Sequence, residues 1–249
     1  MRVTVLGSAA SYAGPGQACA GYLIRSGEAL VLTDCGNGVL ANLGRVADPL
    51  ALDAVIVTHR HPDHVLDLFS LQSLLRYAPQ GPAPALPLYG PPGLMEMLGC
   101  MHDEKGRAEL AASFEFEPLR DGEESLFGAL SVRPVEVDHV DPTFALRLAD
   151  DGGTMCYTSD TRYGEAVLDA ARGCDLLLAD ATMPEAYAGR APHMSAGECG
   201  RLASEAGAGR LVLTHVWPTN DRIEMAAQAR RAFGGPVEVA EELADYDVG

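Results

Sequence analysis

The stretch Thr58-His59-Arg60-His61-Pro62-Asp63-His64 places four potential metal-binding side chains within six residues. In an extended segment, side chains two apart point to the same face, so His59 and His61 can grip one ion. Pro62 biases His61 away from helical geometry and itself suits the first turn of a helix. The chain turns there, and Asp63 and His64 project towards a neighbouring ion.

Working outward, five apolar stretches each end in a His or Asp: AVIVTH at His59, VEVDH at His139, MCYTSD at Asp160, LLLAD at Asp180 and RLVLTH at His215. In layered α/β folds, function collects just beyond the carboxyl ends of strands, where side chains converge on one crevice. His139 is therefore expected to complete the first ion's set and His215 the second's, with Asp160 bridging the two. Imidazole with carboxylate suits zinc, and manganese or iron accept the same mixture. The chain has seven histidines, three of them in the opening heptapeptide. Two more end apolar strands, a joint pattern that unrelated core or surface histidines would not produce.

Other residues stay open on pattern alone. His193, in Pro192-His193-Met194-Ser195-Ala196, precedes a helix and reads equally as a surface-loop histidine or a functional one. Asp180 reads as a helix cap, a turn acid or a site residue. Asp34 follows an apolar strand and is either an acid holding a ligand histidine or a plain turn residue. Arg60 and Arg162 sit beside ligand positions, as exposed ion-pair partners or phosphate contacts. His102 belongs to no pattern and is taken as structural. The six cysteines are scattered without a CxxC, as reduced structural thiols would be, and none is chosen as a ligand.

With 249 residues, 47% of them apolar, the chain reads as one globular domain over 1–249. Its net charge of −17, from 35 acids against 18 bases, would repel a long polyanion. A small phosphate is less affected, because a divalent pair supplies its own positive charge. No apolar run is long enough to span a bilayer and no basic-then-apolar start marks a signal peptide, so a soluble cytoplasmic protein without a membrane partner is expected.

The remaining pattern alternates strands and helices. Strands are expected over 1–6, 21–25, 29–33, 52–58, 130–138, 143–148, 154–158, 175–179 and 210–214, with 237–239 the last. Pro134 favours an edge strand. Helices are expected over 37–46, after the histidine motif, and over 164–172, 195–206 and 220–233, with Ser195 and Glu198 forming a capping box. Residues 7–21 form a small-residue loop, approaching a substrate or merely connecting strands. Residues 80–92 read as a loop with a short strand at Leu88-Tyr89, and 91–121 as a helix or two and a strand. No internal repeat of fixed period is visible.

With those residues in place, the chain resembles the metallo-β-lactamase superfamily, whose motif His-x-His-x-Asp-His is His59, His61, Asp63 and His64 here. The later single ligands follow in the superfamily's order as His139, Asp160 and His215. The resemblance implies an α/β fold, a four-layered αβ/βα sandwich with two divalent metals at the edge of its sheets. Within the superfamily the chain is similar to the ribonuclease Z branch and its phosphodiesterase relatives, through Ser159-Asp160-Thr161, Ala179-Asp180-Ala181-Thr182 and His193-Met194-Ser195-Ala196. That similarity implies that His193 acts on the scissile phosphate and that Asp180 orients it, although the branch often carries Glu at the latter position. Ribonuclease Z enzymes insert a long tRNA-gripping arm between the ligands equivalent to His139 and Asp160, where only twenty residues stand here. tRNA is therefore not the expected partner, and a small phosphodiester is.

The expected activity is two-metal hydrolysis of a small phosphodiester such as a cyclic nucleotide. Water is activated by the ion pair and oriented by Asp63, and His193 is steadied by Asp180 as proton donor. The alternatives are a ribonuclease Z-like RNA endonuclease, a hydrolase of a lactone, thioester or β-lactam, a di-iron redox protein and a catalytically dead metal-binding module. The di-iron proteins of this fold typically carry Glu at the position of His61. A homodimer is the family's expectation.

Overall fold

The computed structural model describes every residue except Gln80 and Asp141. Gln80, the first residue of the expected loop 80–92, therefore lies outside the described residues. Strands β1 (Arg2–Gly7), β2 (Gly21–Ser26), β3 (Ala29–Thr33), β4 (Ala54–Ile56), β5 (Leu86–Gly90) and β6 (Phe114–Pro118) lie side by side in that order, with β14 (Asp245–Asp247) outside β1. Strands β7 (Ser125–Phe127), β8 (Leu130–Glu136), β9 (Phe144–Asp150), β10 (Gly153–Tyr157), β11 (Leu176–Asp180), β12 (Arg210–Thr214) and β13 (Val237–Val239) form the second sheet.

The continuous apolar runs are buried on both faces, and the two-residue period of a strand sorts them. Val3, Val5, Tyr22, Ile24 and Val31 meet Leu176, Leu178 and Val212 between the sheets. Their neighbours face outward: Leu6, Leu23 and Leu32 pack against α1 (Val39–Val46) and α3 (Asp67–Tyr77). Leu177, Leu211 and Leu213 pack under α6 (Glu165–Ala171), α7 (Ala196–Ala206) and α8 (Arg222–Phe233). Helix, sheet, sheet, helix are the four layers of the expected sandwich.

Each sheet repeats one topology. The β14-β1-β2-β3 pairings are antiparallel and β3 to β6 parallel, just as the β7-β8-β9-β10 pairings are antiparallel and β10 to β13 parallel. The sequence carries no matching repeat, because a strand order constrains hydrophobic pattern rather than residue identity.

Several expectations change. Val237–Val239 is not the last strand, since β14 follows and pairs with β1. Pro134 lies in β8, which is flanked on both sides, yet the edge strand β7 stops opposite Val132. The Pro134 carbonyl accepts from Gly122 on that outer side, so the missing N–H falls where no ladder partner exists. The segment 91–121 holds α4 (Leu94–Gly99), α5 (Glu104–Ser113) and β6. The capping box is present, with Ser195 accepting from Glu198 N and the Glu198 carboxylate accepting from Ser195 N. No described helix is long and apolar enough to cross a membrane.

Candidate metal centre

The carboxyl ends of β4, β8, β10, β11 and β12 come together where the two sheets touch. Phe144 N donates to Thr58 O at 3.1 Å, and Val216 N donates to Ser8 O at 2.9 Å. The short helix α2 (Pro62–Val65), with Pro62 at its first position after an extended His61, carries Asp63 and His64 inward. It rests on Gly36, where a Cβ would lie 1.9 Å from the Asp63 carbonyl, so a side chain there would lift the motif off its seat. Four of the five described non-glycine residues with positive φ are Ser11, Asp34, Ser159 and His215, all bordering this site.

All the residues read from sequence as ligands converge. His59, His61, His139 and Asp160 present ligand atoms within 4.8 Å of one another, and so do Asp63, His64 and His215. His139 Nε2 lies 3.2 Å from His61 Nδ1, and His64 Nε2 lies 3.2 Å from His215 Nε2. Ligands about 2.1 Å from one tetrahedral ion sit roughly 3.4 Å apart, so these spacings suit a shared cation. Asp160 divides between the sets. Its Oδ2 is 3.6 Å from His59 Nε2 and 3.7 Å from His139 Nε2, while its Oδ1 is 3.4 Å from His64 Nε2.

Two atoms test the fit. His59 Nε2 and Asp160 Oδ1 are buried without a hydrogen-bond partner, at a cost of about 1–3 kcal/mol each for groups left so. Both point into the cluster, where a cation would satisfy them. The donor set of five imidazoles and two carboxylates therefore fits a divalent pair. A third grouping of Asp160, Asp180, His193 and His215 is also compact. It is a hydrogen-bonded network instead, because the Nδ1 atoms of His193 and His215 lie 2.9 and 3.4 Å from Asp180 oxygens.

A second layer fixes which nitrogen faces inward. His64 Nδ1 donates to Asp34 Oδ2 at 2.8 Å, which also accepts from Tyr157 Oη at 2.8 Å and Thr58 Oγ1 at 3.0 Å. His139 Nδ1 donates to the Pro192 carbonyl at 2.8 Å. His215 Nδ1 lies 2.8 Å from Thr182 Oγ1, which donates to Asp180 Oδ1 at 2.6 Å. These partners leave Nε2 of His64, His139 and His215 aimed at the centre, while His61 presents Nδ1. Ser11 N donates to Asp63 Oδ2 at 2.6 Å.

The electrostatics divide the histidines. Burial, reinforced by cationic neighbours, lowers the pKa of His59, and burial also lowers His61 and His139. Burial opposes the charged form of His64 and His215 too, but Asp160 and the other acids outweigh it, raising His64 well above its usual value and His215 to about 10. Asp63, Asp160 and Asp180 stay below the usual carboxylate range, since the facing histidines overcome their burial.

His193 stands at the rim, its side chain 15% exposed, with Nδ1 2.9 Å from Asp180 Oδ2. Burial lowers its pKa, Asp180 raises it, and the net direction is up. Asp34 is thus the acid behind a candidate ligand, not a plain turn residue. Arg162 is 3.0 Å from Asp138 in an exposed ion pair. The Arg60 guanidinium packs over Gly93, on the far side of the extended segment from its histidine neighbours. Among the described residues no cysteine enters the cluster, and His102 packs against Phe69 at a ring distance of 5.4 Å. Sequence reasoning missed Ser11, Thr58, Tyr157, Thr182 and the Pro192 carbonyl. Only the Thr beside His59 and the Thr after Asp180 carried any local signal.

This fold and donor set define a metallo-hydrolase centre, and the chain belongs to the β-lactamase superfamily. A family model described as a beta-lactamase superfamily domain matches residues 30–216. An uncharacterized protein of Mycobacterium tuberculosis is 35% identical over 244 residues, covering 95% of this chain and 88% of that one. The probable metallo-hydrolase YhfI of Bacillus subtilis is 30% identical over 244 residues, covering 96% and 97%. Its crystal structure, a metallo-β-lactamase fold, superposes with a TM-score of 0.88 at 28% identity over 100% of this chain and 98% of that one. Ribonuclease Z of Mycobacterium bovis is 29% identical over 277 aligned positions, covering 100% and 98%.

Proposed function

We propose that this protein is a phosphodiesterase that hydrolyses a small phosphodiester, a cyclic nucleotide being one such substrate, with a pair of divalent ions, zinc by preference, as its cofactor. His59, His61, His139 and Asp160 would hold one ion, and Asp63, His64, His215 and the second oxygen of Asp160 the other. Bound there, the pair supplies a water acidified towards a pKa of about 7 and positive charge for the phosphoryl oxygens.

The observation that carries the reading is the His193–Asp180 pair. Nδ1 of His193 donates to Asp180 Oδ2 at 2.9 Å, which leaves Nε2 free at the open side of the cluster. Burial disfavours the charged ring, but Asp180 outweighs it and favours the protonated form. From that position Nε2 can protonate the departing alkoxide or hydrogen-bond a non-bridging phosphoryl oxygen. Asp180 keeps its charge because His193 and His215 face it, and Thr182 N, Thr182 Oγ1 and Thr161 N also donate to it. Asp63, fixed by the Ser11 amide, orients the attacking water.

Cleavage of a thioester expels a thiolate that needs no such proton donor, which favours the phosphodiester over that reading. Ribonuclease Z chemistry is the second reading, supported by the Mycobacterium bovis relative. Two features weigh against tRNA. The net charge is −17, and β9 and β10 form an ordinary hairpin between His139 and Asp160. The test is to offer metal-loaded protein nucleoside 3′,5′- and 2′,3′-cyclic phosphates, short RNA, a lactone and a thioester. Turnover of a cyclic phosphate is expected, and preference for the lactone or thioester refutes the reading.

A further inference from the structure

The chain's only tryptophan stands at the rim of the metal cluster, held by its edge. Trp217 follows His215 by two residues, and its Nε1 donates to Ser11 Oγ at 3.3 Å. The amide of the same Ser11 donates to Asp63 Oδ2, so a single residue separates the indole from a candidate ligand. The segment is fixed on several sides. Ala10 N donates to Val216 O at 3.2 Å, and Asn220 Nδ2 donates to Thr182 O at 3.0 Å. Gly14 closes the gap, because a Cβ there would lie 2.8 Å from Pro218 Cβ. The expected small-residue loop thus approaches this rim.

Beside Ser11, the Tyr12 side chain is 49% exposed. Trp217 is partly exposed, and neither ring belongs to any of the three apolar cores. An exposed Tyr12 and a partly exposed Trp217, the latter pinned to the residue whose amide holds Asp63, offer ring surface next to the candidate centre. Every nucleobase has a face that stacks on such a ring. An indole already pinned at its edge loses little side-chain freedom when it does so.

Resting on the phosphodiesterase reading, we propose that Trp217 is the platform on which the substrate's base stacks. The substrate class is then a nucleobase-bearing phosphodiester rather than a glycerol diester. Losing one base–aromatic stack weakens binding roughly 5- to 150-fold.

The test uses the metal-loaded protein and two measurements. The first is emission of Trp217, undiluted by any other tryptophan, titrated with adenosine 5′-monophosphate and with ribose 5-phosphate. Saturable quenching by the nucleotide but not by the sugar phosphate is expected. The second is kcat and KM for nucleoside cyclic phosphates and for glycerophosphocholine in Trp217→Ala and Trp217→Phe. Trp217→Ala should raise KM for the nucleoside diesters about tenfold or more, with a much smaller change for the glycerol diester, and Trp217→Phe should recover most of the loss. Equal losses on both substrates, or emission indifferent to the nucleotide while nucleoside diesters are hydrolysed, overturns the platform. Hydrolysis of a lactone or thioester and of no diester sinks the phosphodiesterase reading instead, and the emission titration still decides whether the rim binds a base.

Discussion

Asp34 Oδ2 and His64 Nδ1 lie 2.8 Å apart, both completely buried, in a contact that turns His64 Nε2 towards His215 and Asp160. Asp34 also holds Tyr157 and Thr58, so it ties the site to both sheets. Replacing Asp34 by Asn keeps the shape and tolerates the positive φ of 57°. The amide no longer accepts as a carboxylate does, and the preferred tautomer of His64 is lost. Metal affinity of Asp34→Asn should fall about 10- to 100-fold, measured by competition with a chelator. Unchanged affinity would mean that the contact does not orient a ligand.

His193 predicts a dependence on the leaving group. Proton donation matters most when the departing oxygen is a poor leaving group, so His193→Ala should lower kcat on a ribose diester by about 100- to 10,000-fold. On bis-p-nitrophenyl phosphate, whose phenolate leaves without help, the loss should be far smaller. Equal losses on both would contradict a role as acid.

The titrating histidines set a pH dependence with a worked sign. In metal-free protein, His64 and His215 have raised pKa values, His215 to about 10. Their stabilising contribution is complete below the unfolded value of about 6.5 and is lost as pH rises through the folded one. His59, His61 and His139 are lowered, so their contribution is present above about 6.5 and lost as pH falls. Tm of chelator-treated protein should therefore peak near neutrality and decline towards pH 10. Metal uptake must displace protons held by the His64–His215 pair, so zinc affinity should rise with pH and binding near pH 7 should release protons. Calorimetry in buffers of different ionisation heat measures that release, and a zero proton count would contradict the assignment.

Gly36 predicts a purely steric effect. Its Cβ position is 1.9 Å from the Asp63 carbonyl, so Gly36→Ala must push α2 outward. Overpacking of this kind costs typically about 1–3 kcal/mol, enough to lower Tm by several degrees. Because α2 carries two candidate ligands, metal content should fall with it. A variant with wild-type Tm and metal content would show that the contact relaxes freely.

The candidate ligands were legible because each ends a long apolar strand or belongs to one dense motif, and the two sheets repeat a strand order that brings such ends to one place. His193 and Asp180 were ambiguous on pattern alone, since a loop histidine and a strand-end acid look alike until their 2.9 Å contact is seen. What orients the ligands was hidden. Ser11 acts through its amide, Pro192 through its carbonyl, and Tyr157 sits in a strand where its side chain reads as core. The strands Ser125–Phe127 and Asp245–Asp247 escaped because each is short and edge-lying with little buried apolar surface, and the second is mostly acid. Arg60 was open by position, and the face on which its side chain lies became clear only with Gly93 in view.

The most direct measurement is a zinc titration of chelator-treated protein against hydrolysis of a small phosphodiester, with metal content read in parallel. Activity should rise to a plateau at about two ions per chain. Asp160→Ala, which removes the one side chain shared by both ligand sets, should bind less metal and hydrolyse little. Full hydrolysis without metal, or two firmly bound ions with no phosphodiester turned over, would contradict the account.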